Sequence, residues 1–317
     1  MKLIKQIAAL TAAALGFAVF DVSVYGIFTK RYINSTSVQM QAKSVEVDKY
    51  LPFREDSAIV KADSSLKLGG DLPVVDGAAA IFPVYSAFVN ATYPEDSVHY
   101  SDGDFTADSA MQYTNTRGAY KSLADGRADI IFCAKPSEEQ REYAEQKGVD
   151  MELVPIGREA FVFLVSADNP VDDLSVDEVR GIYSGKYKNW SQLGGDNRPI
   201  DALQRNEGSG SQTAMLSFMG DAPMKRNIWC LNGSAIGFSF RYYVEGIVAN
   251  GGVKMLSLNG VYPDREHISD GSYPVIGELY AVYDRNNDNE NISLMIDWIL
   301  SDEGQRIVEQ SGYVRVD

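Results

Sequence analysis

Cysteine and histidine are scarce in this 317-residue chain, which has two of each: Cys133, Cys230, His99 and His267. There is no C-x-x-C spacing and no cluster of four such ligands, so neither a metal site nor a metal cofactor is expected. Cys133 lies in the apolar run Ile130-Ile131-Phe132-Cys133-Ala134 and reads as a small buried hydrophobe. Whether it pairs with Cys230 is open at this level. Positive charge is also in short supply, with 29 Lys and Arg against 44 Asp and Glu and a net charge of −15. A nucleic-acid partner is therefore not expected, because phosphate backbones need basic surfaces that release counterions. A small anion is not excluded, since a helix N-terminus and one Arg act over a few ångströms while net charge is screened. Internal repeats and low-complexity tracts are missing too.

The chain does have length for two globular lobes of about 100 to 150 residues each. Its hydrophobic content of 45%, with 23% charged residues, fits a folded soluble body. One long apolar run, Ile7 to Phe28, follows Lys2 and Lys5. It is close to the roughly 20 residues that cross a bilayer. Residues 1–28 are thus expected to be a signal anchor or signal peptide that puts the folded body outside the cytoplasm, at the cell membrane or secreted. No small-x-small cleavage site follows directly and no cysteine is placed for lipid attachment, which favours the anchor. Asp21 argues the other way, because a carboxylate inside hydrocarbon costs about 2.5 to 3.5 kcal/mol. Residues 29–70 are polar and weakly periodic and read as a stalk, in which Leu51-Pro52-Phe53 can pack locally.

From Asp71 onward, strand and helix signals alternate, the grammar of an α/β fold. Leu72 to Gly77 reads as a short strand ending in a glycine turn, and Pro83 to Asn90 as a helix with apolar residues at helical spacing. A helix through Ala119 to Leu123, a strand from Ala128 to Ala134 and a Glu-rich helix after Pro136 follow. Phe161-Val162-Phe163-Leu164-Val165 reads as a strand buried on both faces. Ser175 with Glu178 three residues on forms a capping box opening the next helix. A late strand, Gly277 to Tyr283, precedes helices at Ile292 to Leu300 and Gln305 to Gln310. With the boundary at Asn169, lobe 1 comprises 71–168 and 273–317, and lobe 2 comprises 169–272.

The stretch Arg205-Asn206-Glu207-Gly208-Ser209-Gly210-Ser211-Gln212-Thr213 carries the clearest chemistry, because it directly precedes the apolar helix Ala214 to Met219. It puts a guanidinium, the hydroxyls of Ser209, Ser211 and Thr213 and free backbone amides at one helix start, where the dipole favours negative charge. The plain alternative is a Gly-Ser turn with a capping serine. Gly77-Ala78-Ala79-Ala80 and Thr114-Asn115-Thr116-Arg117-Gly118 also precede helices, and ligands of open α/β sheets sit at such strand-to-helix ends. Ordinary turns and caps are the alternatives there. No catalytic residue is expected, since Glu207 beside Ser209 makes no triad and neither histidine lies in a nucleophile–base arrangement. Tyr183, Trp190, Tyr242 and Tyr243 read as core residues or as cleft lining.

Several of these motifs recur in order in one family. Ile156 to Phe163, Asn169-Pro170-Val171, Ile182 to Lys186, Asn189-Trp190, Leu193-Gly194-Gly195, the Arg205 to Thr213 loop, Ala235 to Phe240, Trp298-Ile299-Leu300 and Gly312-Tyr313-Val314 together resemble the phosphate-binding proteins of ABC importers. The match runs from Asp71 to Val316. The resemblance implies a type II periplasmic-binding fold, α/β and two-lobed with two crossover strands. It implies capture of phosphate or a related oxyanion for an ABC permease, by a monomer without cofactor. It maps the ligand-binding guanidinium to Arg205, the hydroxyl and amide loop to Ser209, Gly210, Ser211 and Thr213, and further donors to Thr114 and Thr116. Two positions depart from the pattern. Ala79 and Ala80 offer amides where a hydroxyl is expected, and Ala134-Lys135 stand where relatives place a carboxylate that accepts the proton of HPO4. Lys135 either adds charge to the pocket or is simply solvated. A degenerate fold acting as a membrane-tethered sensor or interaction module is the alternative to a transport receptor.

Overall fold

The structure is a computed structural model and describes residues 45–225, 234–247 and 252–316. The expected signal segment at 1–28, the stalk up to residue 44 and Cys230 lie outside the described residues. Among the described residues no helix is long and apolar enough to cross a membrane.

The element order confirms the alternation read from the sequence: β1 (Val75–Gly77), α1 (Phe82–Thr92), α2 (Asn115–Ala124), β2 (Ile130–Cys133), α3 (Glu138–Gln146), β3 (Met151–Ser166) and α4 (Val176–Tyr183). There follow β4 (Ile200–Ala202), α5 (Gly210–Met219), β5 (Ser234–Phe240), β6 (Val253–Met255), α6 (Arg265–Ser269), β7 (Ile276–Asp284), α7 (Glu290–Leu300) and α8 (Asp302–Gln310). Local chemistry explains the helix starts. Ser175 and Glu178 form the expected capping box before α4, and Ser137 with Gln140 forms another before α3. Pro83 sits in the first turn of α1, where its missing N–H costs nothing.

The strands run in the order β1-β2-β7-β3-β5-β4, with β6 paired to the end of β3. β3 is the pivot of this arrangement. Its residues Met151 to Ala160 pair antiparallel with β7, whereas Phe161 to Val165 pair antiparallel with β5. One strand therefore leaves one lobe and enters the other. The returning chain crosses beside it, where the Val275 carbonyl accepts from the Phe161 amide at 3.0 Å.

Each lobe has its own core. In the first, β2 alternates as a two-faced strand must: Ile130 and Phe132 join the cluster around α1, α7 and α8, while Ile131 and Cys133 face Ala119, Tyr120 and Leu123 of α2. Cys133 is a buried free thiol. The second core gathers Phe161, Phe163, Tyr183, Trp190, Phe218 and Phe238. Tyr183 and Trp190 are thus core and not cleft. Packing also moves the lobe boundary: Ala160 to Val165 lie in or against the second core, so the side chains of lobe 2 start nine residues before Asn169.

The stalk expectation needs correction from residue 45 onward. Val45, Leu51, Ile59 and Leu68 are buried in the first core. The segment is also tied down by hydrogen bonds, from Ser86 Oγ to the Tyr50 carbonyl at 2.5 Å, from the Phe53 amide to Asn90 Oδ1 at 2.8 Å and from the Leu68 amide to the Thr92 carbonyl at 2.8 Å. Apart from the 3₁₀ turn Val47–Tyr50, its apolar residues are spaced too irregularly for a helix or strand, yet these four join the first core.

Candidate functional site

Three helix starts converge on a cavity of about 380 Å³ between the lobes. Lobe 1 lines it with Ala78 to Ile81, Tyr113, Asn115, Thr116, Arg117, Ala134 and Leu279. Lobe 2 contributes Arg205, Asn206, Glu207, Ser209, Gly210, Ser211, Ser239, Phe240 and Tyr243.

Helix α5 brings the richest set of donors. Ser209 is its N-cap, and its Oγ accepts from the Gln212 amide at 3.2 Å. That leaves the hydroxyl hydrogen of Ser209 available to donate, because a hydroxyl can accept and donate together. The amides of Gly210 and Ser211 fall in the first turn and have no intrahelical acceptor, as helix geometry dictates. The loop ahead is held by Gln212, whose Oε1 accepts from the Arg205 amide at 2.8 Å. The Arg205 side chain has no hydrogen bond or ion pair among the described residues. Partial burial pushes its pKa down, with the nearby Tyr243 acting in the other direction. Among the described residues no carboxylate neutralises this half-buried cation, so the charge is left for something in the cavity.

The second start is the 3₁₀ turn Ala79–Ile81 ahead of α1. The Ile81 amide returns to the Ala78 carbonyl at 3.1 Å, while Ala79 and Ala80 line the cavity with their amides and methyl groups. The hydroxyl missing from Ala79 is replaced by none in this turn.

The third start belongs to α2, and here the structure separates two residues that the sequence put together. Thr116 lines the cavity, but Thr114 does not. The Thr114 hydroxyl donates to Asp76 Oδ2 at 2.5 Å and its amide donates to Asp76 Oδ1 at 2.8 Å. Asp76 also accepts from the Gly77 amide at 2.7 Å. Burial raises the Asp76 pKa, and the hydrogen bonds from Thr114 and Gly77 pull it back down. Thr114 therefore orients the start of α2 instead of facing the cavity. Gly118 is required one turn on, because a Cβ there would lie 2.5 Å from the Thr114 side chain.

Thr213 and Lys135 are also displaced from the expected set. Both line a neighbouring cavity of about 660 Å³ that shares Ala134, Gly210 and Phe240 with the first. Arg205, Ser209, Gly210, Ser211, Ala79, Ala80 and Thr116 are thus brought together, whereas Thr114, Thr213 and Lys135 are not.

Sequence reasoning passed over Asp76, Tyr113, Asn115, Ser239 and Arg117 as site residues. Arg117 was visible beside Thr116, but its reach across the cleft to Gly208 was not: a Cβ on Gly208 would lie 3.5 Å from its side chain. Of the four aromatic residues, Tyr243 lines the cavity and Tyr242 packs against Tyr313 with the rings tilted by 41° and their centroids 4.6 Å apart. Among the described residues there is no group of His, Cys, Asp and Glu able to hold a metal ion.

Residues 74–303 match the family described as a PBP superfamily domain. The chain is 28% identical over 192 residues to the Phosphate-binding protein PstS of Bacillus subtilis, a match that covers 55% of this chain and 62% of that protein. The matched segment thus spans less than two thirds of that relative's length. A PstS of Staphylococcus saprophyticus is 24% identical over 259 residues, covering 75% of this chain and 78% of its own. Among solved structures, the phosphate-bound crystal structure of a putative phosphate ABC transporter substrate-binding protein from Clostridium perfringens superposes with a TM-score of 0.57. It is 23% identical and the match covers 77% of this chain and 98% of that one. An ABC-type phosphate transport receptor from Vibrio cholerae gives a TM-score of 0.55 at 16% identity, covering 76% and 99%. These likenesses show the fold, mixed α/β and two-lobed.

Proposed function

Because the chain belongs to the PBP superfamily, we propose that it is an extracytoplasmic solute-binding protein that captures phosphate or a related oxyanion between its lobes and hands it to an ABC permease. The observation that carries this reading is the half-buried Arg205 guanidinium, without a carboxylate partner among the described residues, facing the same cavity as the starts of α1, α2 and α5. The relatives and structural neighbours named above as phosphate-binding proteins support it. A guanidinium and a ring of amide and hydroxyl hydrogens can replace the hydration shell of a small anion. Each charge-assisted hydrogen bond contributes about 1.5 to 3 kcal/mol. Hinged closure of the two lobes, acting as a monomer, would complete the shell.

In the segment before Pro136, where relatives are expected to carry a carboxylate, this chain has Ala134-Lys135, and Ala134 lines the cavity. Discrimination of HPO4 from sulfate, which relies on accepting the ligand's proton, is therefore weaker here than in relatives that carry the carboxylate. Calorimetric titration with phosphate, arsenate, sulfate and molybdate tests the proposal. Phosphate should bind, sulfate should compete measurably, and Arg205→Ala should weaken binding by at least roughly 10- to 100-fold, the loss of one charged hydrogen bond. Ligand at 100 times its Kd should also stabilise the fold by about 2.7 kcal/mol, read as a melting shift. The same affinity in Arg205→Ala as in the native chain, or no shift with any of the four anions, would overturn it.

A further inference from the structure

The loop that opens α5 belongs to lobe 2, yet side chains of lobe 1 close over it. A Cβ on Gly208 would lie 3.5 Å from the Arg117 side chain, and one on Gly210 would lie 3.3 Å from Thr116 Oγ1 and 3.5 Å from the Ala134 Cβ. Gly208 has a φ of +73°, a left-handed conformation that glycine adopts without strain. The loop therefore meets lobe 1 with no side chain of its own at either position.

A hydrogen bond crosses between the lobes at this place. Gln140, in the first turn of α3, donates from Nε2 to the Gly208 carbonyl at 3.4 Å. The other end of its carboxamide is fixed by its own helix, because Oε1 accepts from the Ser137 amide at 2.8 Å while the Gln140 amide donates to Ser137 Oγ at 3.2 Å. A capping box uses only the acceptor of this side chain, and glutamate serves it as well as glutamine. The NH2 group is thus surplus to α3, and reaching the other lobe is what it does. In the same peptide unit as the Gly208 carbonyl, the Ser209 amide donates to the Asn206 carbonyl at 3.3 Å. The Gly208–Ser209 peptide is held from lobe 1 through its carbonyl and from its own loop through its N–H, and it leads into Ser209, which caps α5 and lines the anion cavity.

We infer that Gln140 is a positioning residue for ligand capture, which latches lobe 1 onto the loop that opens α5 and so slows release of the bound anion. It does not line the cavity and acts through the Gly208–Ser209 peptide. An anion seated between hinged lobes leaves only when the lobes part, so a bond that must break for them to part slows release and not encounter. The inference rests on the proposed function in taking the anion to be held at Arg205 and the start of α5.

Two variants of the full chain separate the latch from the cap. Gln140→Glu keeps the acceptor for the Ser137 amide and removes the donor to Gly208, whereas Gln140→Ala removes both. Release is read by chasing bound labelled orthophosphate with an excess of unlabelled orthophosphate at high salt, where the extra charge of Gln140→Glu is screened. Both variants should release orthophosphate about 2- to 10-fold faster than the native chain, the worth of one neutral hydrogen bond, with little change in association rate. Only Gln140→Ala should lower the melting temperature of the ligand-free protein, through loss of the cap. Release at the native rate from either variant would overturn the inference and leave orthophosphate capture intact, as would a melting temperature that falls as far in Gln140→Glu as in Gln140→Ala. Failure of the native chain to bind orthophosphate would overturn both.

Discussion

Asp76 never lines the cleft, yet it decides where part of the cleft's lining sits. It is fully buried in the middle of β1, and it accepts three hydrogen bonds from Gly77 and Thr114. Those bonds hold Thr114, whose own hydroxyl therefore does not cap α2, and through it they set the positions of Asn115, Thr116 and Arg117. Replacing the carboxylate by a methyl leaves the buried Gly77 amide without its acceptor, at about 1 to 3 kcal/mol, and releases the more exposed Thr114. Asp76→Ala should therefore lower the melting temperature and also weaken anion binding. Asp76→Asn, which keeps one acceptor oxygen, should lose less of both. Unchanged affinity in a destabilised Asp76→Ala protein would show that α2 does not take its position from this residue. Thr114 illustrates why the sequence could not settle its role: two threonines two residues apart at a helix start look alike as donors. Only the buried acid, 38 residues earlier in the chain, claims one of them.

At the scale of elements, β3 carries the connection between lobes, and a buried acid marks the point of transfer. Glu159 is 1% exposed, and its neighbour Ala160 is the last residue of β3 paired with β7. It accepts from the Ala160 amide at 3.0 Å and from the Tyr242 amide at 3.2 Å. Arg241, Glu245, Tyr242 and Tyr313 are the charged and titratable groups around it, and Arg241 pairs with Glu245 at 2.7 Å. Burial pushes the Glu159 pKa from 4.5 up to about 8, against the pull of Arg241 and the two amides. The folded state thus holds the proton more tightly than the unfolded one. The resulting stability is fully present below the unfolded value and is lost as pH rises through the folded one, a change on the order of a few kcal/mol. Melting temperature should accordingly fall between about pH 5 and pH 8, and Glu159→Gln should flatten that slope. Parallel slopes for the two proteins would refute this assignment. The strand itself was legible from its continuous apolar run, but the acid's burial was not, because Gly157-Arg158-Glu159 reads as an exposed polar stretch until Tyr242 and Tyr313 are packed over it.

For the whole molecule, the boundary of the folded body lies earlier than its periodic part. Residues 45–70 look like a tether in sequence, yet Val45, Leu51, Ile59 and Leu68 enter the first core. Burying an apolar side chain of this kind contributes about 1.5 to 3 kcal/mol. A chain that starts at Asp71 should therefore be less stable than one that starts at residue 45 and melt several degrees lower, as differential scanning calorimetry can measure. Equal melting temperatures would mean that the segment rests on lobe 1 without supporting it.

The sequence alone determined the α/β class, the order of elements, the capping boxes and the set of donors at the helix start that Arg205 to Thr213 precede. These are properties of short stretches, set by spacing, by helix-start geometry and by which side chains can donate. Tertiary structure decided the rest: that Arg205 lacks a carboxylate partner among the described residues, that Asp76 claims Thr114, and that Thr213 and Lys135 face a second cavity instead of the first. Each of these depends on groups far apart in the chain meeting across the fold, and no local pattern of residues encodes the distance at which they meet.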